Sequence, residues 1–221
     1  MPVKPAKKFT SKRLSASSKA YLNRQAADSF VQAARAQGYR ARSAFKLQEI
    51  DQKHKLFRHG QTVVDLGAAP GSWCQVAAEK VGPTHKGGGR IVGIDLLEIP
   101  PLAGITFIEA DFTSDEGLGQ LLPHVQPEGV DVVMSDMAAN TTGHHATDGL
   151  RTMALAELAA DFALTHLKPG GHFLTKVFMN GDEAKLRDTL RPHFTKVMFV
   201  KPGASRAESR EIFLLALNKK A

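Results

Sequence analysis

Thr62-Val63-Val64-Asp65-Leu66-Gly67-Ala68-Ala69-Pro70-Gly71-Ser72-Trp73 is the stretch from which the fold can be read. A β-branched run ends at Leu66, small residues follow, and a helical pattern begins at Ser72, so the stretch is a strand, a tight turn and a helix start. Small side chains at such a turn let the backbone approach a bound cofactor closely. The spacing is not that of the dinucleotide fingerprint G-x-G-x-x-G, and no Lys-Ser/Thr pair of a phosphate-binding P-loop is present.

Working outward, strand-like apolar runs lie at 90–94, 105–110, 130–135, 172–177, 196–200 and 212–217, most of them separated by helical stretches. The alternation predicts a seven-stranded, mostly parallel α/β sheet with helices on both faces and ligands bound beyond the carboxyl ends of its strands. The last two strands are joined by residues 201–210 alone, too short for a helical crossover, so they pair antiparallel. Upstream, 19–37 and 43–55 read as helices separated by Gly38 and flank the core.

The same strand ends carry acids. Asp95 follows Ile91-Val92-Gly93-Ile94, Asp111 follows Phe107-Ile108-Glu109-Ala110, and Asp136 closes Val130-Asp131-Val132-Val133-Met134-Ser135. A lone aspartate at such a place is ordinarily a helix cap or turn residue. Acids at successive strand ends describe an adenosine pocket instead, one accepting from ribose hydroxyls and another from an adenine amino group.

Charge adds a partner. The chain has 221 residues and a net charge of +7, yet residues 1–60 hold fourteen Lys or Arg against Asp28, Glu49 and Asp51, while the remainder is net acidic. Lys4, Lys7, Lys8, Lys12, Arg13, Lys19 and Arg24 precede any acid, the footprint expected for a polyanion such as nucleic acid. A solvated tail without a partner and an organelle-targeting segment are the competing readings of residues 1–18. No apolar run is long enough for a membrane span or export signal, and the single cysteine, Cys74, suits a reducing compartment, so a cytoplasmic protein is expected.

These motifs, together with Ser15-Ala16-Ser17-Ser18, Arg40-Ala41-Arg42-Ser43-Ala44-Phe45-Lys46-Leu47, Leu167-Lys168-Pro169-Gly170-Gly171 and Ser205-Arg206-Ala207-Glu208-Ser209-Arg210-Glu211, make the chain resemble the FtsJ/RrmJ (RlmE) family of ribosomal RNA 2'-O-methyltransferases. The resemblance implies a Rossmann-like sheet that binds S-adenosylmethionine and a catalytic tetrad falling on Lys46, Asp136, Lys176 and Glu211. It further implies a cofactor site at Gly71, Trp73, Asp95, Asp111 and Asp136. The implied substrate is a uridine in the 23S ribosomal RNA loop that receives incoming transfer RNA, with the large subunit as the expected partner; independently of the resemblance, a monomer is the favoured state. Two positions depart from the family: Ser72 stands where Gly is common, and Ala139 where Pro is common.

The tetrad also makes chemical sense. A ribose hydroxyl is a poor nucleophile, so methyl transfer gains from a base and from in-line placement of the reacting atoms. Lys176, set in the apolar run Phe173-Leu174-Thr175, is the candidate base, with Asp136 positioning it and Lys46 and Glu211 orienting the ribose. Arg40, Arg42 and the basic tail are candidates for RNA backbone contacts. Trp73 reads equally as a cofactor wall or as core. His144 and His145 sit in a Thr/Gly-rich loop without a second ligand pair, so no metal is expected. A transfer RNA methyltransferase and a noncatalytic RNA-binding assembly factor remain as alternatives, with residues 19–221 forming one domain.

Overall fold

The computed structural model describes residue 15 and residues 28–125, 127–139, 145–179, 181–206 and 209–221. The rest of the basic tail, the expected helical residues 19–27, His144 and motif residues Ala207 and Glu208 lie outside the described residues.

Two short helices lead in, α1 (Ser29–Ala36) and α2 (Ala44–His54). Then come β1 (Thr62–Leu66), α3 (Ser72–Val81), β2 (Arg90–Asp95), β3 (Ile105–Glu109), α4 (Asp115–Leu121) and β4 (Val130–Ser135). The chain finishes with α5 (His145–His166), β5 (Leu167–Phe178), α6 (Glu183–Leu190), β6 (Phe194–Val200) and β7 (Glu211–Lys219). The seven strands form one sheet in the order β3-β2-β1-β4-β5-β7-β6. All neighbours from β3 to β5 are parallel, and β7 runs antiparallel to both β5 and β6.

Both faces are covered, which is why β1 is buried at all five positions. On one face α4, α5 and α6 pack Leu121, Ala156, Ala159, Ala163, Leu186 and Leu190 against Val64, Val133 and Phe173. The alanines of α5 let that long helix lie close to the sheet. On the other face α2 and α3 pack Leu47, Ile50, Trp73 and Val76 against Val63, Met134, Leu174, Phe213 and Leu215.

Most strand bounds agree with the apolar runs to within two residues. The exception is β5, expected from 172 but starting at Leu167: its register to β4 jumps between Val130 and Val132, so residues 168–171 bulge while the strand continues. The strand order reverses between β1 and β4, and the carboxyl ends of these two strands open the crevice in which a doubly wound sheet holds its ligand.

Candidate active site

The turn after β1 is pinned to β2. The N–H groups of Gly67 and Ala68 donate to the Ile94 carbonyl at 2.9 and 3.1 Å, and that of Ala69 donates to Asp95 Oδ2 at 2.9 Å. Gly67 must be glycine, because a Cβ there would stand 2.4 Å from Met137 Cγ. Gly71, at φ +96°, is the N-cap of α3 and offers no side-chain cap. The first N–H groups of α3 therefore keep their donors and the positive end of the helix dipole for whatever binds at its mouth.

Four acids lie at this rim. Asp95 also accepts the Leu97 N–H at 2.9 Å, and Asp111 accepts the N–H and hydroxyl of Thr113 at 2.9 and 2.7 Å. These bonds hold the exposed Asp111 carboxyl below its ordinary range. Both aspartates thus brace their own turns through one oxygen lone pair per donor and retain acceptor capacity. The fourth acid is Asp65, 1% exposed, whose Oδ2 accepts a weak bond from Cys74 Sγ at 3.2 Å and whose Oδ1 has no partner. Burial, and secondarily the charges of Asp136 and Asp95, push this acid up to about 7 despite the thiol. The rim therefore offers several carboxylates to a hydroxylated, cationic ligand.

Trp73 takes the core alternative. Its indole is 2% exposed, donates to the Ser43 carbonyl at 3.0 Å and packs on Phe213 at 5.6 Å between ring centres. Its side chain is no part of the rim, so only its backbone at the start of α3 can meet a ligand.

The four tetrad residues form two ion pairs at the same end of the sheet. Lys176, 7% exposed on β5, donates through Nζ to Asp136 Oδ1 at 2.9 Å and to the Asp136 carbonyl. The parallel register that sets Ser135 beside Thr175 puts these two residues level. Lys46 of α2 pairs with Glu211, the first residue of β7. Because β7 runs antiparallel, its starting end lies at the carboxyl rim, with Glu211 opposite Phe178 and Phe213 opposite Lys176. Directly opposed residues share a face, so Lys176, Phe213 and Glu211 project to one side. The Lys46 ammonium stands 5.8 Å from the Phe213 ring centre on that side. Phe213 is thus the floor between the two pairs, a role absent from the sequence reading although alternation from Glu211 would have indicated its face.

Beside Lys46 and Glu211 opens a cleft of about 200 Å³, lined also by Arg42, Arg206 and Ser209. Arg40, expected on the RNA, faces elsewhere: its guanidinium donates to the carbonyls of Pro70 and Pro101 at 3.0 and 3.1 Å and braces the cofactor-side turns. The two departures from the family pattern have local reasons. Ser72 Oγ and Ser43 Oγ share a hydrogen bond of 2.8 Å that joins α3 to α2. The Ala139 N–H, which a proline would lack, donates to Thr152 Oγ1 at 3.4 Å. Among the described residues no three metal-ligating side chains gather, and no helix is long and apolar enough to cross a membrane.

Comparison with known proteins adds an independent line. The sequence model of the FtsJ-like methyltransferases matches residues 39–219. The chain is 52% identical to the ribosomal RNA large subunit methyltransferase E of Rhizobium rhizogenes over 93% of its length and 85% of the relative's. It is 49% identical to the protein of that name from Bartonella bacilliformis, over 94% of its length and 86% of the relative's. Among solved structures, one described as a ribosomal RNA methyltransferase from Plasmodium falciparum superposes with a TM-score of 0.72 at 28% identity, covering 82% of this chain and 98% of that one. With the family model matching residues 39–219, a matching sheet and this degree of identity over nearly its whole length, the chain belongs to the FtsJ-like methyltransferase family.

Proposed function

We propose that this protein methylates a ribose 2'-hydroxyl of large-subunit (23S) ribosomal RNA, using S-adenosylmethionine, and that Lys46, Asp136, Lys176 and Glu211 carry the reaction. The observation that supports it most is a lysine amine buried at the strand-end rim and held at 2.9 Å by Asp136. A buried lysine is rare unless it is paired, and here its partner comes from the strand that borders the switch point.

When bound, S-adenosylmethionine supplies a methyl group activated as a sulfonium. The rim suits it: Asp95 and Asp111 offer acceptors to ribose and adenine, Gly71 and the backbone of Trp73 open α3, and Asp136 provides negative charge for a cation. Lys176, entering the step as the neutral amine with its two N–H groups donating to the Asp136 carboxylate and carbonyl, takes on its lone pair the proton that leaves the 2'-hydroxyl and holds it at Nζ. Glu211 and Lys46, each restrained by the other, orient the ribose through its neighbouring oxygens, and Phe213 keeps water from beneath both pairs.

The family resemblance and the relatives' names point to ribosomal RNA, and the finer target is a uridine in the loop that receives transfer RNA. We place the protein in the cytoplasm, acting on the large subunit. Labelled methyl transfer to large subunits, free ribosomal RNA and transfer RNA, followed by nucleoside analysis, tests this. A 2'-O-methyluridine from ribosomal RNA is expected; label in transfer RNA alone, or on a base, would overturn the reading.

A further inference from the structure

One carboxylate joins three parts of the chain. Asp28 Oδ1 accepts the N–H groups of Phe30 and Val31 at 3.0 and 3.4 Å and so caps α1. Asp28 Oδ2 accepts from Arg42, ahead of α2, and from Arg206 of the β6–β7 loop at 3.4 Å. That loop is anchored separately, because Glu49 of α2 accepts the N–H groups of Gly203 and Ala204 at 2.6 and 3.4 Å, and Arg42 donates to the Ala204 carbonyl. Two guanidiniums from distant segments therefore stand on one wall of the cleft beside Lys46 and Glu211.

Asp28 is 11% exposed in its side chain and lies behind Arg206, which is 41% exposed, so the acid holds the pair from the protein side and leaves the cleft side to donors. With Lys46 and the Ser209 hydroxyl, the lining offers three cations against the single acid Glu211, and Asp28 behind it leaves an excess of one positive charge. A wall with many N–H donors, a small positive excess and an open mouth fits a monoanion that only accepts hydrogen bonds. A phosphodiester is such a group, and guanidinium forks match its oxygens.

We propose that Arg42, Arg206 and Ser209 form a phosphodiester subsite for the substrate strand next to the target ribose, and that Asp28 is its positioning residue, holding the two guanidiniums in register. This rests on the reading of the chain as an RNA methyltransferase and assigns the strand's grip to residues outside the tetrad.

The test uses the full-length protein, with a short single-stranded oligoribonucleotide and S-adenosylmethionine as separate probes. Arg206→Ala lowers RNA affinity about fivefold and reduces the slope of log affinity against log salt by about 0.7, the share of one phosphate. Its affinity for S-adenosylmethionine stays unchanged. An unaltered slope overturns the subsite. Asp28→Asn keeps an N-cap as good as aspartate, so α1 persists, while the wall gains one unit of positive charge. Charge alone makes this variant bind RNA more tightly, whereas loss of registration makes it bind about threefold more weakly in spite of that charge. Equal or tighter binding removes Asp28 from the positioning role. Wild-type protein that methylates ribosomal RNA while Arg206→Ala keeps its slope refutes the subsite alone. Wild-type protein that methylates no RNA refutes the proposed function, and the slope comparison then judges the anion site by itself.

Discussion

Replacing Asp65 by asparagine removes an ionisable group that the fold holds against its own chemistry. The carboxyl is 1% exposed, its Oδ1 has no partner, and its one donor is a thiol. Burial raises the acid from 3.8 to about 7, with Asp136 and Asp95 adding to the effect. Between about pH 4 and about pH 7 the folded chain keeps a proton that the unfolded chain releases, so stability falls as pH rises through that window and the full penalty persists above it. At about 1.4 kcal/mol per unit the penalty reaches about 4 kcal/mol above neutrality. Asparagine has the same shape and no such titration. Urea unfolding of both proteins from about pH 5 to about pH 8 should therefore show the variant gaining about 3 kcal/mol relative to wild type across the series. His172 opposes this slope: burial, then Arg58, lowers its acid form, so its contribution is lost as pH falls. Taking variant minus wild type cancels that contribution. A difference that stays constant over the series would refute the argument that Asp65 is buried with a proton near neutrality.

Three further outcomes follow from the same geometry. A bound sulfonium should draw the Asp65 proton off, so calorimetric S-adenosylmethionine binding near pH 7 should release protons in wild type and lose that release in Asp65→Asn; buffer-independent heats in both proteins would exclude the coupling. Lys176→Ala should cut methyl transfer by about 10²- to 10⁴-fold while cofactor affinity is nearly kept, and unchanged turnover would take Lys176 out of the base role. Deleting residues 1–14 should weaken RNA binding and flatten its salt dependence without touching cofactor affinity, and equal slopes would show that the tail lies off the RNA.

The sheet was legible because its strands are uninterrupted apolar runs and the turn after Leu66 is composed of small residues. The antiparallel β7 was legible from loop length alone, whereas Glu211 entered the site only through the family resemblance. Other features depend on where a side chain points, which composition does not encode. Trp73 begins a helix whether its ring faces the cofactor or the core, and only the packing of α2 on α3 decides for Ser43 and Phe213. Arg40 and Arg42 are two residues apart and equally basic, yet one braces Pro70 and Pro101 while the other reaches Asp28. The bond between Cys74 and Asp65 joins two residues that the sequence offers as a small apolar filler and a motif acid. Asp28, a plain helix cap by its position, acquires its second role only through a loop 178 residues downstream.

Glu211 and Lys46 lie 165 positions apart, and their contact has a bearing on synthesis. A nascent polypeptide halted before β7 contains the five parallel strands and the aspartates of the rim, yet Lys46 then has no Glu211 to meet and Lys176 has no aromatic neighbour opposite it. On the roles proposed for these residues, methyl transfer therefore requires the closing strand in place between β5 and β6.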